Sequence, residues 1–458
     1  MSEKFDVAII GGGPGGTPAA MRLAGAGKKV LLVEALGKLG GACLFIGCIP
    51  SKIIKHGADA YAQGKHGTLN RDEAWKSIKE NMHRILNGRS GAAKTKLDQA
   101  GIRFVEGKAR FISNTEIEVN GLRYDFDKAI IAPGARSVVP PFQGDGVQDV
   151  LISEILFDMQ DLPKSMVIIG GGPIGIELAQ MFNNLEVKIT VIEMMESLVY
   201  GLVEPEFALS IAKKMTDTGI DVQTGAKVQA INRSGHGYIT TYIDQSGSEK
   251  SVAADKVLVV TGKRPNIDGL NLEATGVRLE RGGIVVDEHL ETSVPGIYAT
   301  GDVILGGPKF AHVATQESQI VATNMLQPKS LKTDFSKTPW VLFSSPEIAG
   351  VGMTEAQARK AGYTVLTGSY NYAEDATAQI NEEPFGILKY IVDVKTKRIL
   401  GIHLFHNVAA DLVGEASIIV SNELILMDVA KSVHPHPTLT EAFNLLAYKM
   451  LADPQLRK

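Results

Sequence analysis

Residues 9–34 read IIGGGPGGTPAAMRLAGAGKKVLLVE and residues 168–193 read IIGGGPIGIELAQMFNNLEVKITVIE, an ungapped internal repeat at an offset of 159. Each copy runs from an apolar strand through G-x-G-x-x-G (Gly11, Gly13, Gly16; Gly170, Gly172, Gly175) into a helical stretch. A second apolar strand follows and ends on an acid, Glu34 or Glu193. The glycines permit a tight turn and close approach of backbone to a pyrophosphate, whose charge then sits on the free N–H groups of a helix N-terminus. Glu34 and Glu193 are placed to accept hydrogen bonds from a ribose. One such loop is weak evidence, but two with strand, helix and acid in register imply two dinucleotide sites.

Working outward, DKAIIAPGAR at 127–136 matches DKVLVVTGKR at 255–264, each expected as the strand that closes its nucleotide domain. Glu34 to Asp127 spans 93 residues and Glu193 to Asp255 spans 62, so the first copy carries 31 more. That insert contains or adjoins the two cysteines. It is expected to hold a helix over about Cys43–Ala62 and another over about Arg71–Ala100, with Trp75, Ile78, Met82 and Ile85 at helical spacing. The short runs FVEGKARFI and EIEVNGLRYDF predict a small antiparallel sheet. In GIVVDEHLETSVPGIYATGDV a strand ending at Thr300 meets a Gly301-Asp302 turn; the acid can hydrogen-bond a polyol, and an ordinary turn reads equally well. From about Lys337 the chain lacks a phosphate loop and predicts a separate α+β domain.

Composition narrows the function. The 458 residues suffice for about three domains, and a net charge of −4 offers no field for nucleic acid or anionic lipid. No apolar run is long enough to span a bilayer, and Met-Ser-Glu-Lys-Phe-Asp enters a strand without a signal peptide's basic and apolar regions. A cytoplasmic location, or an organelle after processing, is expected.

The only two cysteines, Cys43 and Cys48, lie five apart in CLFIGCIPSK. In a reducing compartment a catalytic or sensing dithiol is the usual use of such a pair. Zinc is excluded by ligand count, so no metal is expected. In an ideal helix, positions five apart have Cα atoms about 8–9 Å apart, beyond the roughly 7 Å limit for a bridge. A disulfide here therefore needs a distorted turn, which Gly47 and Pro50 make available. Near the C-terminus, HPHPTLTE places His436 five residues before Glu441. That pair suits a base and its orienting carboxylate, since thiol chemistry proceeds through the thiolate. Thr438-x-x-Glu441 equally matches a helix capping box.

Taken together, GGACLFIGCIPSK, the two glycine loops, ATGDV and HPHPTLTE resemble the pyridine nucleotide-disulfide oxidoreductase family, which includes dihydrolipoamide dehydrogenase, glutathione reductase and mercuric reductase. The resemblance covers essentially the whole chain and looks most like dihydrolipoamide dehydrogenase in Pro50-Ser51-Lys52 and SPEIAGVG at 345–352. It implies an α/β fold with two Rossmann-like domains, for FAD and NAD, plus a C-terminal α+β dimerisation domain. The expected bounds are 1–145 and 268–336 for FAD, 146–267 for NAD and 337–458 for the interface. Glu193-Met194-Met195, without a nearby arginine, favours NAD. By the same resemblance Cys43 is the interchange thiol, Cys48 faces the flavin, Lys52 pairs with Glu177 beside it, and Asp302 binds FAD. His436, supported by Glu441, would deprotonate dihydrolipoamide, free or on a lipoyl carrier protein, across a homodimer interface. The chain departs from the lipoamide pattern at Ala42, Phe45, Ala132-Pro133-Gly134 and Val313. Another disulfide or quinone reductase on the same scaffold is the alternative activity, and a non-catalytic flavoprotein the alternative class.

Overall fold

A computed structural model describes residues 3–65 and 67–456; Met1 and Ser2, expected to lead straight into the first strand, lie outside them. The first glycine loop leaves the central strand of a parallel sheet. Strand Glu3–Ile10 lies between Val30–Glu34 and Leu122–Ile131, with Arg103–Glu106 beyond one and Ile297–Ala299 beyond the other, all parallel. Such a sheet is covered on both faces, so its strands read as nearly unbroken apolar runs such as VLLVE, every residue of which is buried. The strand Ile297–Ala299 comes from the far side of the second repeat, so this layer is assembled from two separate stretches of chain.

The second copy builds a smaller parallel sheet in the order Asp221–Gln223, Lys188–Ile192, Ser165–Ile169, Lys256–Val259. The paired sequences at 127–136 and 255–264 thus occupy equivalent places, each beside the strand that precedes its glycine loop. Their continuations meet, because Ala135–Ser137 pairs antiparallel with Lys263–Pro265 and forms a ribbon between the two layers. A five-stranded antiparallel sheet, with Ile399–His406 between Glu347–Gly352 and Ile387–Asp393, makes the C-terminal unit. Helices Ala409–Ser421 and Glu441–Leu451 close its core.

Three expectations need correction. The helix expected over Cys43–Ala62 is two helices, Gly41–Phe45 and Cys48–Ala62, interrupted at Ile46 (φ −135°) and Gly47 (φ −145°, ψ −112°). The run from Arg103 to Glu106 pairs parallel with the nucleotide sheet, and only Ala109–Phe111, Glu116–Val119 and the start of Leu122–Ile131 are antiparallel. In the helix Arg71–Gln99, Trp75, Ile78 and Met82 face the core as expected, but Leu86 rather than Ile85 takes the next buried place.

Candidate active site

The two glycine loops share one geometry. Gly11 and Gly170 close the strands at φ +111° and +118°, a region L side chains avoid. A Cβ at Gly11 would collide with the Ala132 carbonyl, and one at Gly170 with that of Val260, so each loop packs on its closing strand. By contrast, a Cβ at Gly172 would meet nothing within 4 Å, leaving that loop face open. Neither following helix, Thr17–Gly25 or Pro173–Asn184, is capped by a side chain, so their first N–H groups remain for a phosphate. These features fit two bound dinucleotides. Glu34 accepts the N–H of Gly12 (2.7 Å) and Leu36 (3.0 Å), and Glu193 those of Gly171 (2.5 Å) and Met195 (2.7 Å). Both acids therefore also brace the turn they were expected to extend toward a ribose.

The Gly301-Asp302 turn is tied to the first loop by Thr300 Oγ1, which donates to the Gly15 carbonyl at 2.9 Å. Ser318 Oγ accepts the N–H of Ala19 (2.8 Å), and Glu317 accepts that of Gly301 (2.5 Å). Sequence reasoning missed Thr300, Glu317 and Ser318; of these only Thr300 lay in a recognised motif. Burial raises the carboxyl of Asp302 above its usual range, opposed by Lys263 and Lys309. Glu317 is fully buried, its Oε1 without a partner among the described residues, and burial pushes it up to about 7, against the pull of the Gly301 N–H. Between 4.5 and about 7 the folded state keeps a proton that an unfolded glutamate releases, so this group's stabilisation fades as pH rises through that window. Glu317→Gln is expected to flatten that decline, worth roughly 1–3 kcal/mol, in denaturation of the flavin-loaded protein from acid to neutral pH. An unchanged slope would assign it to other groups.

The break at Ile46–Gly47 supplies the distorted turn that a Cys43–Cys48 bridge requires. Here both thiols are free and within hydrogen-bonding reach. The hydrogen bond from Cys43 draws Cys48 down to about 7, helped by Lys52 and opposed by burial. The same bond, with burial, pushes Cys43 up, so Cys48 is the first thiolate. One turn along the helix, Lys52 Nζ lies 2.6 Å from Glu177 Oε2 and 4.2 Å from the Phe343 ring centroid. Glu177 Oε1 accepts the Phe343 N–H at 3.0 Å. Phe343 was not singled out in the sequence, although it lies two residues before the start of the SPEIAGVG run.

His436 Nδ1 sits 3.0 and 3.1 Å from the two oxygens of Glu441, with its side chain 74% exposed. The capping-box reading is half realised. Glu441 accepts the Thr438 N–H (3.0 Å), but the helix begins at Glu441 and the Thr438 hydroxyl donates to the Pro435 carbonyl. His434, two residues earlier, is instead buried against Glu415 at 2.8 Å. Among the described residues no hydrogen bond or ion pair within the chain joins His436 to either cysteine. Nor, among them, does any cluster of three His, Cys, Asp or Glu suit a metal, or any helix prove long and apolar enough to cross a membrane.

Two nucleotide layers, the first of them split, a dithiol at a helix break and an imidazole–carboxylate pair define a flavoprotein disulfide oxidoreductase. Residues 5–318 match the family model for pyridine nucleotide-disulphide oxidoreductase and residues 338–447 its dimerisation domain; the chain belongs to that family. The family binds FAD and uses a pyridine nucleotide, and its dimerisation domain supports a homodimer. The chain is 36% identical to a dihydrolipoyl dehydrogenase of Thermus scotoductus over 96% of each protein. It is 33% identical to a mercuric reductase of Staphylococcus aureus, over 97% of this chain and 82% of that one. A solved Cu(II) complex of the HOCl-induced flavoprotein disulfide reductase RclA from Escherichia coli superposes with a TM-score of 0.87 at 29% identity, covering 98% of this chain and 99% of that one.

Proposed function

We propose that the protein oxidises dihydrolipoamide, free or on a lipoyl carrier, to lipoamide with NAD⁺ as acceptor through a Cys43–Cys48 disulfide. The observation that carries this reading is the exposed His436 held by Glu441. With Nδ1 on the carboxylate, Nε2 is left to take a proton from a thiol. The substrate thiolate attacks Cys43 Sγ, the Cys43–Cys48 bond breaks, and Cys48 leaves as the thiolate that Lys52 favours. Once His436 has passed the first proton to solvent it takes that of the second substrate thiol, whose thiolate displaces Cys43 and closes the product disulfide, and Cys43 takes this second proton from His436. Two electrons now reside on the reduced pair. FAD, when bound, would supply the two-electron chemistry that passes them to NAD⁺ as a hydride. In this reading His436 comes from the partner subunit, and the protein works in a reducing, cytoplasmic compartment. The four sequence spans of the domain division, with FAD held by 1–145 and 268–336, NAD by 146–267 and the dimer interface by 337–458, belong to the same proposal.

NAD is favoured because Glu193 is followed by exposed Met194 and Met195, neither of which can meet a 2′-phosphate. Met194→Arg is expected to raise kcat/KM with NADP⁺ by about tenfold. An unaltered cofactor ratio would mean that position 194 does not approach the ribose. The direct test mixes flavin-loaded protein with dihydrolipoamide and NAD⁺ or NADP⁺ without oxygen. Rapid, NAD⁺-selective formation of NADH is the expected result.

One observation favours a second reading, an NADH-consuming disulfide or quinone reductase. Phe45, where asparagine is usual in the lipoamide pattern, lies in the Cys43 helix with Lys38 Nζ 5.6 Å from its ring. Reduction of the dithiol by NADH with negligible lipoamide chemistry in either direction would establish that reading instead.

A further inference from the structure

The Lys52–Glu177 pair is one rung of a longer ladder. Lys52, Lys55 and Asp59 recur at i, i+3 and i+7 on helix Cys48–Ala62, and so share a face. Glu177, Gln180 and Asn184 recur identically on helix Pro173–Asn184. Three side chains, Asn184, Lys55 and Gln180, bind these two rows to each other and to the start of the C-terminal sheet. Asn184 Nδ2 donates to Asp59 (2.8 Å), and Lys55 Nζ bridges Asp59 (2.6 Å) and Ser345 Oγ (2.8 Å). Gln180 takes both backbone groups of Ser345, accepting its N–H at 2.8 Å and donating to its carbonyl at 2.9 Å. An amide that satisfies both groups of one residue acts as a neighbouring strand would, and fixes the segment's register against the helix. Two residues before Ser345 stands Phe343, whose N–H holds Glu177 Oε1 while its ring lies over Lys52.

We infer that Gln180, Lys55 and Ser345 are positioning residues for the Lys52–Glu177 pair: by clamping residues 343–345 they fix Glu177 Oε1, and so hold the Lys52 ammonium where its charge acts on Cys48. Glu177 Oε1 takes its hydrogen bond from a backbone group that the clamp immobilises. Without the clamp the carboxylate is free to rotate and the ammonium to follow it. The charged groups facing Cys48 are Lys52 on its own helix and Glu177 on the helix packed against it, with the Cys43 thiol opposite. The inference rests on the flavin-side roles of Lys52 and Glu177 and not on the identity of the dithiol substrate.

The test titrates the long-wavelength thiolate–flavin absorbance of the reduced, FAD-loaded protein, using dithionite and no dithiol substrate. A protein inactive on dihydrolipoamide can therefore still pass. Gln180→Leu is expected to move the appearance of the thiolate upward by about half a pH unit, and Lys52→Met by more. Gln180→Leu placed in the Lys52→Met background is expected to add nothing, because the clamp acts through that ammonium. Ser345→Ala removes only the hydroxyl link, shifts the titration less, and stands in should Gln180→Leu fail to fold. Two results overturn the inference. One is unchanged titration in both Gln180→Leu and Ser345→Ala, whatever happens to their melting temperatures. The other is additive shifts in the double variant.

Discussion

Cys48→Ser is expected to lower dihydrolipoamide oxidation by roughly four to six orders of magnitude, the scale seen when a covalent catalytic unit is broken. The chain has two cysteines in all, so no other thiol can restore a disulfide. Cys43→Ser should be equally inactive but differ in its absorbance. It keeps the Cys48 thiolate beside Lys52, so the long-wavelength band survives there and vanishes in Cys48→Ser. Cys48 stands at about 7 chiefly because Cys43 donates a hydrogen bond to its thiolate. Cys43→Ala removes that donor, so the thiolate should appear only at higher pH, while the serine hydroxyl retains part of the effect. Turnover of Cys48→Ser within tenfold of the parent would show that the electrons take a path other than this pair.

The layered fold was legible because its determinants are local. A strand, a glycine turn and a helix N-terminus are adjacent in sequence, and two copies in register left little freedom in how residues 9–34 and 168–193 fold. The pairing of Lys52 with Glu177, 125 residues apart, came from family resemblance, and Lys52 Nζ lies 2.6 Å from Glu177 Oε2. The break at Ile46–Gly47 was less legible, since apolar spacing continues across it and only the bridging distance argued for a turn. Arg103–Glu106 looked antiparallel because a four-residue strand carries no sign of its partner's direction. Glu317 and Gln180 were invisible for a common reason. Each side chain binds backbone N–H groups of a distant segment, Gly301 and Ser345, and backbone groups leave no trace in residue identity. Residues that hold a site together through main-chain contacts emerge only once the packing is known.

His436→Gln is expected to slow dihydrolipoamide oxidation by about 10²–10⁴-fold, the usual contribution of a positioned base. Reduction of the flavin and dithiol by NADH should persist, because no step of that half requires a substrate thiol to lose its proton. Glu441→Gln should have a smaller effect of the same kind. The Thr438 N–H, and then His436, hold the Glu441 carboxyl below its usual range, so it stays charged to lower pH than an ordinary glutamate and keeps the ring oriented there. Whether His436 serves its own chain's dithiol or its partner's is decided by mixing two inactive variants. In a heterodimer of His436→Gln with Cys43→Ser, a base that crosses the interface concentrates both lesions in one site and leaves the other intact. About half of the parental activity then returns in the mixed dimer, from two proteins that are each inert. A base that stays within its chain leaves one lesion in each site, and the mixed dimer remains inactive. The dimerisation domain brings a second copy of His436 to the assembly, and within one chain His436 touches Glu441 rather than the cysteines, so recovery is the expected outcome.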